Sequence, residues 1–252
     1  MRKAIPLIAA VSLAAACRKD SPIEPAPPTE ATVRLRVVPE WGGQPFSTFV
    51  EYRAPGDIRF MAEMLRFYLS DIRVVAADGS DAPLSQVKLI DLGNGPMTIE
   101  MAAPAGTWLG LRAGLGLPHD LNHTDPVLYG ADHPMSVNTG MYWTWASGYK
   151  FILFDGRFNP DPASTAPLLS AFSVHTGMDT CYTTLDLFPA LPFSTERGEA
   201  TGLTLRVAVD GFLQTPEETI DVVTENQAHG SNYPLALKLT RNAKRSISIE
   251  TD

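Results

Sequence analysis

Cysteine is nearly absent: the chain has two in 252 residues, Cys17 and Cys181. They lie far apart, and the first falls in a leader-like segment, so no disulfide framework is expected in the folded region. Clusters of positive charge are equally scarce. The net charge is −8, and the nearest approach to a basic patch, Arg241 with Lys244 and Arg245, reads as a solvated turn near the C-terminus. Binding a phosphate backbone needs clustered Lys and Arg, so no nucleic-acid partner is expected. A G-x-S-x-G elbow, a phosphate-binding loop and a dinucleotide fingerprint are all missing. The glycines of Gly110-Leu111-Arg112-Ala113-Gly114 satisfy neither spacing, and Cys181 sits in no nucleophile motif. The expectation is a protein that is not an enzyme.

What is present begins with an address. Arg2 and Lys3 precede an apolar run at residues 4–16 that closes on Ala14-Ala15-Ala16-Cys17. The run is too short to span a bilayer, and its end resembles a bacterial lipoprotein processing site. Residues 1–17 therefore read as a signal peptide with Cys17 as lipid anchor. Residues 18–32 carry Pro22, Pro25, Pro27 and Pro28 among charged and small residues and read as a flexible tether. Residues 33–252 read as one domain. The expected location is extracytoplasmic, held to a bacterial membrane by acyl chains alone. Arg18 after the anchor gives no inner-membrane retention signal, which favours the outer membrane.

Strict polar–apolar alternation in Thr32-Val33-Arg34-Leu35-Arg36-Val37 marks a half-buried strand. The same period returns at residues 86–89, 203–209, 235–239 and 246–249, and Asp78-Gly79 supplies hairpin chemistry ahead of the second of these strands. Residues 58–67 could form one or two helical turns, but 21 prolines and 19 glycines interrupt longer windows. The expected fold is all-β, an antiparallel β-sandwich, with residues 116–140 as a long irregular loop insertion of the kind that carries function.

Three of the five histidines, His119, His123 and His133, fall in that loop, while His175 lies in a strand-like segment and His229 near the end. Imidazole is a common ligand for copper and zinc, and the fold can bring distant ligands together. His119 and His123 are four apart, a helical spacing, although Pro118 and Asn122 favour a loop. Beyond them lies the densest aromatic stretch, Met141-Tyr142-Trp143-Thr144-Trp145-Ala146-Ser147-Gly148-Tyr149-Lys150-Phe151. It reads as a half-buried strand. If exposed, Trp143, Trp145 and Tyr149 would form a stacking platform for a carbohydrate, which is the alternative function.

Taken in order, several motifs carry a family resemblance. They are Phe67-Tyr68-Leu69-Ser70-Asp71-Ile72-Arg73 with Ala77-Asp78-Gly79, then Leu121-Asn122-His123-Thr124-Asp125-Pro126, then Trp143-Thr144-Trp145 with Gly148-Tyr149-Lys150-Phe151, and Val174-His175-Thr176-Gly177. This series resembles the periplasmic copper-binding MbnP-like proteins, known from methanobactin operons and from gene pairs with a di-haem MauG-type oxidase. The resemblance spans about residues 33–249. It implies a β-sandwich holding one mononuclear copper, with His123 and His175 as imidazole ligands; His133 and His119, from the histidine-rich loop, are lesser metal candidates. It also implies that Trp143 or Trp145 could be oxidised by the partner oxidase to kynurenine and stand beside the metal. Relatives commonly have His-Leu-Gly where this chain has His175-Thr176-Gly177. One branch has further cysteines, whereas Cys181 here has no partner and is either a buried thiol or a soft extra ligand.

Overall fold

The computed structural model describes residues 30–144, 147–229 and 232–252. The leader, Cys17, nearly all of the tether and Trp145 lie outside the described residues.

The chain opens on β1 (Ala31–Trp41), β2 (Gln44–Pro45) and β3 (Glu51–Ala54), and then runs through the long β4 (Ile58–Val75). The Asp78-Gly79 turn, with Gly79 at φ 85°, leads into β5 (Asp81–Asp91). β6 (Met97–Ala103), β7 (Gly106–Trp108) and β8 (Gly110–Leu115) precede a single helical turn, α1 (His119–Asn122). Then come β9 (Tyr142–Thr144), β10 (Gly148–Asn159), β11 (Ser170–Gly177), β12 (Thr183–Leu187), β13 (Phe193–Thr195) and β14 (Ala200–Ala208). The chain closes with α2 (Val209–Leu213), β15 (Gln227–His229), α3 (Tyr233–Arg245) and β16 (Ile247–Thr251). No helix among the described residues is long and apolar enough to cross a membrane.

The alternation in β1 does what it promised: Val33, Leu35 and Val37 are buried while Arg34 and Arg36 face solvent. β1 is flanked by β14 and β6 in a five-stranded sheet. A nine-stranded sheet runs in the order β12-β8-β4-β10-β11-β15, with β3, β5 and β9 attached. Inward faces of the two sheets share one apolar core. Its centre includes Phe60, Phe154 and Phe172, packed edge to face with ring centroids 5.3–5.7 Å apart, the geometry that the ring quadrupole favours. The fold is all-β, as expected. Most pairings are antiparallel, but β1 with β14 and β11 with β15 run parallel. These pairs are far apart in sequence, so no hairpin dictates their direction.

Two local expectations are corrected. Residues 58–67 are strand, and β4 carries a bulge there: Met64 and Ala62 pair with the adjacent Asp155 and Gly156, leaving Glu63 as the extra residue. The bulge moves the buried set from Ile58, Phe60 and Ala62 to Leu65 and Phe67, and that change of parity hides the period of two. Residues 235–239 are helix. Over the full thirteen residues of α3 the buried positions are Leu235, Ala236, Leu239, Thr240, Asn242 and Ala243, a helical stripe, with Pro234 in the first turn and Lys244 and Arg245 in the last. The supposed basic turn is thus the end of α3, where Arg241 forms a bidentate pair with Glu218 at 2.5–2.7 Å.

Candidate metal site

The loop between β8 and β9 is ordered by the strands beneath it. Buried Tyr68 on β4 donates its hydroxyl proton to Pro134 O at 2.9 Å, and buried Tyr149 on β10 donates to Met135 O at 3.1 Å. Burial pushes the Tyr149 phenol up to about 12, so both hydroxyls stay donors at neutral pH. The Arg66 guanidinium holds Thr139 O at 3.0 Å and the Lys150 ammonium holds Gly140 O at 2.9 Å. What the sequence suggests is an irregular insertion therefore has fixed anchor points, which solves the problem of its backbone polar groups.

Asn122 is the hinge pin of the site. It is 1 % exposed, its Oδ1 accepts the Tyr149 N–H at 2.9 Å and its Nδ2 donates to Asp179 Oδ1 at 3.0 Å. Gly148 lies against it at φ 68°, and a Cβ there would collide with Asn122 Oδ1 and come within 2.5 Å of its backbone oxygen. One side chain thus ties α1, the start of β10 and the segment after β11 together.

Asn122 closes α1, and this turn corrects the expectation of a loop at His119 and His123. Pro118 needs no N–H at the N-cap, so it starts the turn rather than forbidding it. His123 N–H then donates to His119 O at 3.1 Å, and the two rings stand side by side with centroids 4.5 Å apart. Both reach one carboxylate: Asp179 Oδ2 is 2.5 Å from His119 Nδ1 and 3.2 Å from His123 Nε2. One donor atom from each of His119, His123 and Asp179 lies within 4.8 Å of the others, so the three could share an ion. The Asp179 hydrogen bond and charge raise the His119 pKa. Burial pushes the Asp179 carboxyl up, but the hydrogen bonds from His119, Asn122 and His123 outweigh it and the net direction is down.

His175 belongs to a second group. Register builds it: Asp155 on β10 pairs with Ser173 on β11, and His175 pairs with His229 on β15, which puts the four side chains on one sheet face. His175 Nε2 is 2.8 Å from Asp155 Oδ1, Ser173 Oγ donates to the same oxygen at 2.6 Å, and His229 Nε2 lies 2.7 Å from Ser173 Oγ. The rings of His175 and His229 are 4.6 Å apart. Burial lowers the pKa of His229, with the nearby His175 adding to it.

Trp143 packs against this second group. Its ring is edge-on to His175 at 6.0 Å and lies over Gly177, where a Cβ would press on the indole at 3.3 Å and on Tyr149 O at 2.7 Å. That contact explains why glycine follows His175 by two. Trp143, His175, Gly177, Met178 and Tyr233 line one small cavity.

His123 and His175, expected to act as a pair, are therefore placed in adjacent groups joined by Gly177-Met178-Asp179. His119 joins His123. His133 does not: it stacks on Tyr129 at 4.3 Å and its Nδ1 accepts the Met135 N–H at 3.1 Å. Cys181 is buried and burial raises its pKa, which fits the buried-thiol alternative. Tyr149 is wholly buried, so it offers no face to a sugar. Sequence reasoning missed Asp179, Asp155, Ser173 and His229. Only Asp179, four residues after His175, had a local signal.

Met178, between the groups, has φ 66° and ψ 151°, a region nearly confined to glycine and costing about 1–3 kcal/mol. Met178→Gly should relieve the strain, offset by the greater chain entropy of glycine at roughly 0.5–1 kcal/mol. A net gain of about 1 kcal/mol is expected, read as a melting temperature higher by roughly 2–4 °C in calorimetry. An unchanged or lower value would contradict it.

A family model described as MbnP matches residues 30–232. Among solved structures, MbnP from Methylosinus trichosporium matches with a TM-score of 0.50 and 16% identity, over 88% of this chain and 99% of that one. That likeness speaks to the fold. No curated protein matches by sequence.

Proposed function

Because this chain belongs to the MbnP family, we propose that it is an extracytoplasmic copper-binding protein, a carrier of the ion and not an enzyme. The observation that carries the proposal is the convergence of His119, His123 and Asp179, with one donor atom from each within 4.8 Å of the others. Two imidazole nitrogens suit copper, a carboxylate oxygen can complete the set or serve as its hydrogen-bond partner, and partial exposure gives the ion a way in. His175, a few residues from Asp179 along the chain, is the further imidazole that the proposal assigns to copper.

The proposal extends to modification and location. Trp143 is the tryptophan we assign to oxidation by a di-haem partner, since its indole stands against His175. Ring opening would replace a poor indole donor by an aniline nitrogen and carbonyls. Anchoring through Cys17, with the outer membrane as the site, completes the reading. Intact mass with and without a co-expressed MauG-type oxidase tests the modification.

Copper titration against a colorimetric Cu(I) chelator tests the function. Wild type should bind one equivalent. His123→Ala and His175→Ala should each lose at least about tenfold in affinity, or about 1.4 kcal/mol. Tight one-to-one binding undiminished in both variants would sink the assignment.

A further inference from the structure

We infer that Asp155 sets the tautomer of His175: its carboxylate keeps the proton on Nε2 and leaves Nδ1 as the nitrogen that His175 offers to copper. The inference rests on the copper reading and deepens it by naming the donor atom and the residue that positions it.

Counting protons fixes the assignment. An ionised carboxylate can only accept, so the 2.8 Å contact between His175 Nε2 and Asp155 Oδ1 requires the proton to sit on Nε2. Ser173 has one hydroxyl proton, and its shortest contact, 2.6 Å, is to the same Asp155 oxygen. Its lone pairs are then free to accept from His229 Nε2 at 2.7 Å, which puts the His229 proton on Nε2 as well. His229 Nδ1 is thereby an acceptor, and the amide of Gln227 lies 3.4 Å from it. These contacts are all met with a proton on Nε2 of each ring. The 3.3 Å approach of Ser173 Oγ to His175 Nε2 needs no proton of its own.

His175 has two ring nitrogens, and the network consumes one. No hydrogen bond among the described residues involves its Nδ1. Its side chain is only 11% exposed, the ring borders the small cavity shared with Trp143 and Met178, and an unpaired nitrogen in such a place suits a ligand atom. A carboxylate on the far nitrogen of a metal-binding imidazole fixes ring orientation and raises its basicity, and removing such a partner costs about 10–100-fold in metal affinity. Asp155 is a positioning residue in this scheme. Ser173 and His229 brace it, and the β10–β11–β15 register puts all of them in place before any metal arrives.

Long-range proton–nitrogen correlation spectra of 15N-labelled, metal-free protein test the first half without any variant. The wild type should show His175 protonated at Nε2. In Asp155→Asn the side-chain amide can donate to Nε2 and drive the proton to Nδ1. The spectrum should switch accordingly, and Cu(I) affinity should fall about 10–100-fold while the backbone amide pattern is retained. Ser173→Ala, which leaves the Asp155–His175 contact intact, should keep the tautomer and lose less than about threefold. A wild-type proton on Nδ1, or Asp155→Asn binding copper as tightly as wild type, would overturn the inference. Failure of the copper reading looks different. Wild type that takes up no copper, or His175→Ala that binds as wild type does, removes the donor role of Nδ1 while the metal-free spectrum still decides the tautomer.

Discussion

Gly148→Ala should destabilise the protein by about 3 kcal/mol and lower its melting temperature by roughly 10 °C. Two costs add. The backbone at φ 68° is left-handed, which a Cβ penalises by about 1–2 kcal/mol. The new methyl would also collide with Asn122 Oδ1 and approach its backbone oxygen to 2.5 Å, and overpacking of this kind costs about 1–3 kcal/mol. At about 2–4 °C per kcal/mol for a domain of this size, the shift is large enough to read in any thermal melt. The collision also pushes α1 away from β10, so on the proposed copper reading affinity should fall along with stability. A variant that melts within about 2 °C of wild type, on the order of the error of the measurement, would show that α1 is not pinned in this way.

Asn122→Ala should cost nearly as much, about 3 kcal/mol, by the opposite route of removing a contact. The Tyr149 N–H would be left buried without its acceptor, at about 1–3 kcal/mol, and Asp179 would lose a charge-assisted hydrogen bond worth roughly 1.5–3 kcal/mol. Water entering the gap offsets part of the sum. Released from Asn122, Asp179 would no longer hold His119 and His123 at one point. On the proposed copper reading, binding should therefore weaken in the folded variant, measured well below its melting temperature. Chemical denaturation gives the first number and chelator competition the second. Wild-type values in both would mean that the Asn122 contacts carry no net energy.

Asn122, Gly148 and Gly177 also show how far motifs can be read. In sequence they are letters of a family pattern beside His123, Tyr149 and His175. In the folded chain each has its own physical role. Asn122 bonds two segments, Gly148 makes room for it, and Gly177 makes room for Trp143. None of these roles follows from spacing, because each depends on what another segment brings to the same place. The same holds for the missed residues. Ser173 lies 18 residues from Asp155 and 56 from His229, and only the strand register makes them one network.

The sequence by itself determined the β class, the two-faced character of β1, β14 and β16 and the Asp78-Gly79 hairpin. Those features are set locally, by alternation, turn chemistry and residue type. The tertiary structure alone decided that His119 rather than His175 stands beside His123, that Asp179 and Asp155 partner the imidazoles, and that residues 58–67 and 235–239 are strand and helix. A bulge, a parallel pairing and a side chain bridging three segments are choices made by contacts distant in sequence, and periodicity within one segment carries no record of them.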